Sequence, residues 1–206
     1  ACSCPCRVNT ARTHRASKRA RAALCTRKPA GPSPSITTFV QRAEELGYSY
    51  VDIPEHAAFP AEYEPAMGSL WYDAMVLATH LASRTKSMRV GFGILILPQH
   101  NPCYLAKQLS TLDLLSGGRT FLGVGGGWLE GEMSLQGGDF SHRGARTNEY
   151  LRALRALWGA DPCSYQGKKI SFHDVISNPK HLNQWGIPIY IGGGVPASVT
   201  REAELC

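Results

Sequence analysis

A histidine that directly follows a carboxylate, at the end of a short apolar run, is the first feature of this chain with chemical potential. Glu55 and His56 come after Ser49-Tyr50-Val51-Asp52-Ile53 and Pro54. An imidazole changes charge near neutral pH, so His56 can serve as general acid or base. Glu55 beside it could orient the ring or raise its pKa; the plainer reading is a loop histidine with no role. Three glycine-bearing stretches also end apolar runs: Gly93-Ile94-Leu95-Ile96, Gly125-Gly126-Gly127-Trp128 and Gly192-Gly193-Gly194-Val195. Glycine at such a point lets the backbone approach a ligand or form a bulge, or it merely turns the chain. One flat ligand lying across several strand ends would explain the repetition. Gly192-x-Gly194-x-x-Ala197 also fits the dinucleotide fingerprint, although Pro196 interrupts its turn and the ribose-binding acid expected about twenty residues later would lie past Cys206. His80 falls inside a helix, while His100, His142, His173 and His181 form no ligand spacing. No metal is expected in the globular part.

The elements that must position these groups follow a regular rhythm. Strands are expected at 49–53, 88–97, 120–124 and 187–191. Helices are expected from the Thr37/Thr38 cap to Leu46, over Asp73–Ser83, from Asn101 to Gly117, around Tyr150–Trp158, and from Ala197. Inward positions by helical period are Phe39, Val40, Ala43 and Leu46 in the first, and Met75, Val76, Leu77 and Leu81 in the second. Ser164–Phe172 reads as a hairpin that interrupts the rhythm. Alternating strands and helices imply a parallel sheet with right-handed crossovers. It could close as a doubly wound sheet or as an eight-stranded barrel, and ligands bind at the carboxyl ends of the strands in both.

Charge divides the chain in two. Residues 1–35 hold eight basic residues and no acid, whereas the remainder holds 14 basic and 16 acidic ones, so the overall +6 comes from the leader. That leader ends in Pro29-Ala30-Gly31-Pro32-Ser33-Pro34, a linker signature, and reads as a basic, disordered or non-native segment ahead of a domain at 36–206. A nucleic-acid partner would rest on those 35 residues alone and is not expected. The Cys2-Ser3-Cys4-Pro5-Cys6 cluster lacks the C-x₂-C pairing of structural zinc sites. The longest apolar run, Val90–Leu97, is too short to span a bilayer, and no apolar signal segment precedes the domain; a cytoplasmic location is expected.

Several stretches together resemble one family. They are Ala43-Glu44-Glu45-Leu46-Gly47-Tyr48, Asn101-Pro102 with Leu105 to Asp113, Leu115-Ser116-Gly117-Gly118-Arg119, Leu122 to Trp128, Arg143-Gly144-Ala145-Arg146, and Pro188 to Gly193. In order and spacing they resemble the bacterial luciferase-like oxidoreductases, most of all the branch that uses the deazaflavin coenzyme F420. The resemblance implies a (β/α)₈ TIM barrel, truncated here, with the first helix and strands two to five present and strand one and strands six to eight missing. It implies that His56 handles a proton beside hydride transfer to or from a small organic substrate, with Glu55 replacing the usual aspartate. It further implies a bulge with a non-proline cis peptide at Gly93-Ile94, with Ile96 nearby, and cofactor contacts at Gly126, Gly127, Gly193, Gly194 and Val195. Sugar-phosphate dehydrogenases of this fold carry glutamate at the position of Trp128 and asparagine at that of Gly131, so their substrate is not implied. Competing readings are an FMN-dependent monooxygenase of the same fold and a non-catalytic fragment with open sheet edges. A homodimer is the assembly the resemblance suggests.

Overall fold

The computed structural model describes residues 35–205, apart from Gln184 and Val195; the leader, with its cysteine cluster, lies outside the described residues. In chain order come α1 (Ile36–Glu45), β1 (Tyr50–Ile53), α2 (Glu64–Met67), α3 (Ala74–Arg84), β2 (Arg89–Phe92), β3 (Leu95–Ile96), α4 (Pro102–Ser116), β4 (Thr120–Gly125), α5 (Glu130–Leu135), α6 (Arg143–Trp158), β5 (Cys163–Gln166), β6 (Ser171–Val175), β7 (Ile189–Ile191) and α7 (Pro196–Leu205).

Local sequence explains most boundaries. The Ser35 hydroxyl accepts from the Thr38 amide and so starts α1, one turn earlier than the threonines suggest. Asp73 caps α3 through the Val76 amide. Asn101 caps α4 through the amides of Cys103 and Tyr104, with Pro102 in the first turn, where its missing N–H leaves nothing unsatisfied. Gly117 ends α4 in the left-handed region, which glycine enters without steric cost.

All sheet pairings are parallel except that of the β5–β6 hairpin. β1 pairs with β2, β2 with the start of β4, and β4 in turn with β3 and β7. β2 and β3 are two pieces of one expected strand. They part at Gly93–Ile94, where the peptide is cis. The strands follow sequence order with no reversal. A doubly wound sheet needs a reversal to make its ligand crevice, and none occurs among the described residues, as in a barrel wall. β7, the strand before the Gly192-x-Gly194-x-x-Ala197 turn, pairs with β4.

The core lies where helices meet the sheet, with Val51, Ile53, Val90, Phe92, Leu105, Leu109, Leu122 and Val124 all buried. Every residue of β4 is buried, as a strand covered on both faces must be. Some expected inward positions face out: Phe39 and Leu46 on α1, and Val76 on α3. On α3 the small Ala74, Ala78 and Ala82 pack inward instead, because alanine lets a helix approach a sheet closely.

Side-chain latches gather at the amino ends of the strands. The Glu44 carboxylate accepts from the amides of Lys86, Ser87 and Met88, just ahead of β2. Arg119, just ahead of β4, donates to the carbonyls of Ala82, Thr85, Met88 and Ser116 and to the Thr85 hydroxyl. Buried Asp113 accepts from the amides of Thr120 and Leu182. Glu149 likewise takes the amides of Lys168, Lys169 and Ile170 in the hairpin turn.

Candidate functional site

Parallel strands bring the four mouths, the carboxyl ends of β1, β3, β4 and β7, to one end of the sheet. His56 stands at the first. Its Nδ1 lies 2.6 Å from Glu132 Oε2, and the other carboxylate oxygen of Glu132 accepts from the Ala57 amide at 2.8 Å. Glu132 has no exposed surface, and the His56 side chain is 10% exposed. With Glu132 ionised, Nδ1 must be the donating nitrogen, so the proton-exchanging position is Nε2. The imidazole is walled edge-on by Trp71, Phe59 and Trp128, at centroid distances of 4.5, 5.8 and 6.3 Å.

Glu55 does not orient His56. One of its oxygens accepts from the Ile96 amide at 2.7 Å, and both lie within 3.0 Å of His100 Nε2. Burial disfavours charge on His100, but the hydrogen bond to Glu55 and the charges of Glu55 and Asp73 outweigh it and raise its pKa. Glu55 therefore fastens the β1 mouth to the bulge of β2–β3.

The glycines fall into two groups. A Cβ on Gly125 would strike the Ile94 side chain, one on Gly192 would lie 2.7 Å from Ile94 Cγ2, and one on Gly127 would lie 2.8 Å from Ile96 Cγ2. Those three glycines make room for two isoleucines, not for a ligand. Gly93, at the bulge itself, has the Asp52 carboxylate against it. Gly126 meets nothing closer than 3.6 Å, and Gly194 meets nothing within 4 Å. Gly193 adopts φ +129° with the Ser198 hydroxyl beside it. Val195 lies outside the described residues. Ile94 thus lies against Gly125 and Gly192, at the mouths of β4 and β7, as an apolar seat, and Ile96 lies against Gly127, while Glu55 is tied to Ile96. The backbone stays open at Gly126 and Gly194, next in the chain to these positions, where a planar group could approach it.

Sequence reasoning missed α5 and, with it, Glu132. A signal existed: Leu129 and Met133 are an i, i+4 apolar pair, both buried, and a glutamate between them on that face demands a partner. Gly131 supplies the room, since a Cβ there would lie 2.6 Å from Pro60 Cγ. Its lack of a side chain lets α5 press against the β1 loop. Arg143 approaches the β4 mouth, donating to the carbonyls of Gly127 and Phe140 and stacking on the Phe140 ring. A separate cleft of about 640 Å³ lies on the outer flank, between α6 and the hairpin, lined by Asn148, Glu149, Arg152 and Lys168 among others. Among the described residues, no group of three or more His, Cys, Asp or Glu side chains could hold a metal ion, and no helix is long and apolar enough to cross a membrane.

Comparison with known proteins gives consistent relatives. The family model for luciferase-like monooxygenases matches residues 14–206, a span that begins within the basic leader. The chain is similar to an F420-dependent glucose-6-phosphate dehydrogenase of Amycolatopsis mediterranei, 30% identical over 167 residues, covering 78% of this chain and 48% of the relative. It is equally similar to an FMNH(2)-dependent dimethylsulfone monooxygenase of Pseudomonas putida, 30% identical over 163 residues, covering 77% and 43%. In fold it matches an F420-dependent secondary alcohol dehydrogenase solved with an F420–acetone adduct, with TM-score 0.70 and 21% identity, over 82% of this chain and 51% of that one. The chain spans about half the length of the curated relatives it matches.

Proposed function

The chain belongs to the luciferase-like monooxygenase family, whose members include F420-dependent and FMN-dependent enzymes, and from that premise we propose that it carries the cofactor-facing part of a coenzyme F420-dependent oxidoreductase. The observation that carries this reading is His56, at the β1 mouth, held through Nδ1 by a fully buried carboxylate. When bound, the deazaflavin supplies a hydride acceptor or donor. This chain's residues do the rest. Ile94 would support one face of the deazaflavin's planar ring, with the open backbone at Gly126 and Gly194 alongside. Gly127 admits Ile96, which backs the seat. His56 Nε2 would take the hydroxyl proton of an alcohol substrate as that alcohol is oxidised. Glu132 fixes the ring for that transfer and stabilises the imidazolium that results. Phe59, Trp71 and Trp128 exclude water around it.

FMN is the second reading, because the FMN-dependent relative matches as closely as the F420-dependent one. Titration of the purified chain separates them. Saturable quenching of F420 fluorescence, with turnover falling about a hundredfold in His56→Ala while F420 affinity holds, supports the proposal. Tight FMN binding with no response to F420 overturns it.

A further inference from the structure

The wall facing His56 has a chemical character that the redox reading does not require. Between β1 and α3, residues 54–73 contain no lysine or arginine, and neither do residues 126–136 around the β4 mouth. Aromatic rings stand there instead. Phe59, Trp71 and Trp128 meet the imidazole edge-on, and Tyr63 meets Trp128 in turn at 5.8 Å. Trp128 is 59% exposed at the mouth. The Trp71 indole N–H already donates to the Gly68 carbonyl, so that ring offers its apolar surface. The exposed charges on these segments are acids: Glu62, Glu64, Asp73 and Glu130. The nearby cation Arg143 has Nε and one terminal nitrogen committed to backbone carbonyls and its plane covered by Phe140.

An anionic group brought against this wall would lose hydration, face carboxylates and find no lysine or arginine on either segment. An apolar ring would lose little hydration and gain aromatic contact. We propose that the substrate meeting His56 is an uncharged organic molecule, such as an alcohol or ketone, carrying an apolar ring-sized face, and not a phosphorylated or carboxylated one. The proposal rests on the reading that His56 faces substrate. Trp128 is its specificity-determining side chain and Gly131 sets how closely the wall approaches His56.

The test uses three probes that share one ring: benzyl alcohol, benzyl phosphate and benzylamine. Binding to the full chain without cofactor is followed by NMR of the Trp71 and Trp128 indole N–H signals, assigned by Trp71→Phe and Trp128→Phe. The expected result is a saturable shift of both signals with benzyl alcohol and affinity at least about tenfold weaker for benzyl phosphate. Trp128→Ala, a change at an exposed position, should weaken benzyl alcohol about fivefold or more without altering the melting temperature. Benzyl phosphate binding as tightly as benzyl alcohol overturns the proposal. So does a benzyl alcohol response that spares both indoles, or no response up to its solubility limit. Benzylamine binding more tightly than the alcohol would replace a neutral substrate with a cationic one and also overturns it. Because no cofactor is present, a positive result stands even if F420 and FMN both fail to bind. Conversely, F420 turnover with an anion-tolerant wall sinks only this proposal.

Discussion

Glu132 illustrates how much can depend on one carboxylate. Its two oxygens are spent on His56 Nδ1 and the Ala57 amide, so it fixes both the ring and the loop that carries it. Glu132→Gln keeps the shape but brings an amide hydrogen toward a nitrogen that must donate. Steady-state kinetics should show kcat about tenfold lower or more, with cofactor affinity, measured by titration, unchanged within about twofold. The neighbouring glycine acts through space alone. Gly131→Ala drives a methyl into Pro60, and thermal denaturation should show a loss of about 1–3 kcal/mol, the usual range for overpacking. His56 stood out because its neighbours in sequence announce a strand end, whereas the cis peptide at Gly93–Ile94 was implied by the family resemblance alone. Glu132 was not, since it lies 76 residues from His56 in a six-residue helix too short to advertise a period. Glu55 was misjudged for a related reason: adjacency in sequence suggested contact with His56, whereas the two side chains have different partners, Ile96 and His100 for Glu55 and Glu132 for His56.

At the scale of elements, the repeated device is a helix carboxylate that captures consecutive backbone amides. Glu44 does this for the entry to β2 and Glu149 for the turn of the hairpin. Burial works against their charge, yet the amide hydrogen bonds prevail and hold both pKa values below the ordinary glutamate value. A depressed folded-state pKa contributes stability at pH above the unfolded value, and that contribution is lost as pH falls through the folded one. Acid titration should therefore release the 86–88 and 168–170 amides below about pH 4.5, read as faster hydrogen exchange there before global unfolding. Glu149→Gln should loosen the hairpin already at neutral pH. Arg119 ties four carbonyls with a planar fork; Arg119→Lys keeps the charge but not the fork, and a loss of about 2 kcal/mol in chemical denaturation is expected. Rhythm, caps and the hairpin could be read from the sequence because each rests on local patterns. The break within 88–97 could not, since the apolar run is continuous across Gly93–Ile94 and only the paths of Glu55 and β4 around it show why it divides.

The whole molecule has two unlike ends. Among the described residues β1 and β7 each pair on one side only, and Tyr190 on β7 and Trp185 just ahead of it are exposed. Unpaired parallel edges with apolar neighbours favour association. Sedimentation of the purified chain should give a concentration-dependent mass above the monomer; a monomer at all concentrations would show that both edges are covered. From the alternation of strands and helices alone the closure was one of two, because alternation does not show whether strand order reverses; the family resemblance chose the barrel. Between the two ends, labour is separated. Glu44, Asp113 and Arg119 fasten consecutive βα units at the amino ends of the strands, while His56, Ile94 and Trp128 face the opposite end. None of the three latches draws on the segment between Pro54 and Asp73. Within that loop Glu55, His56, Ala57 and Pro60 are tied to β3 and α5, so the stretch from Ala61 to Leu70 is the graft site, where other lengths and polarities can be tried on the same scaffold.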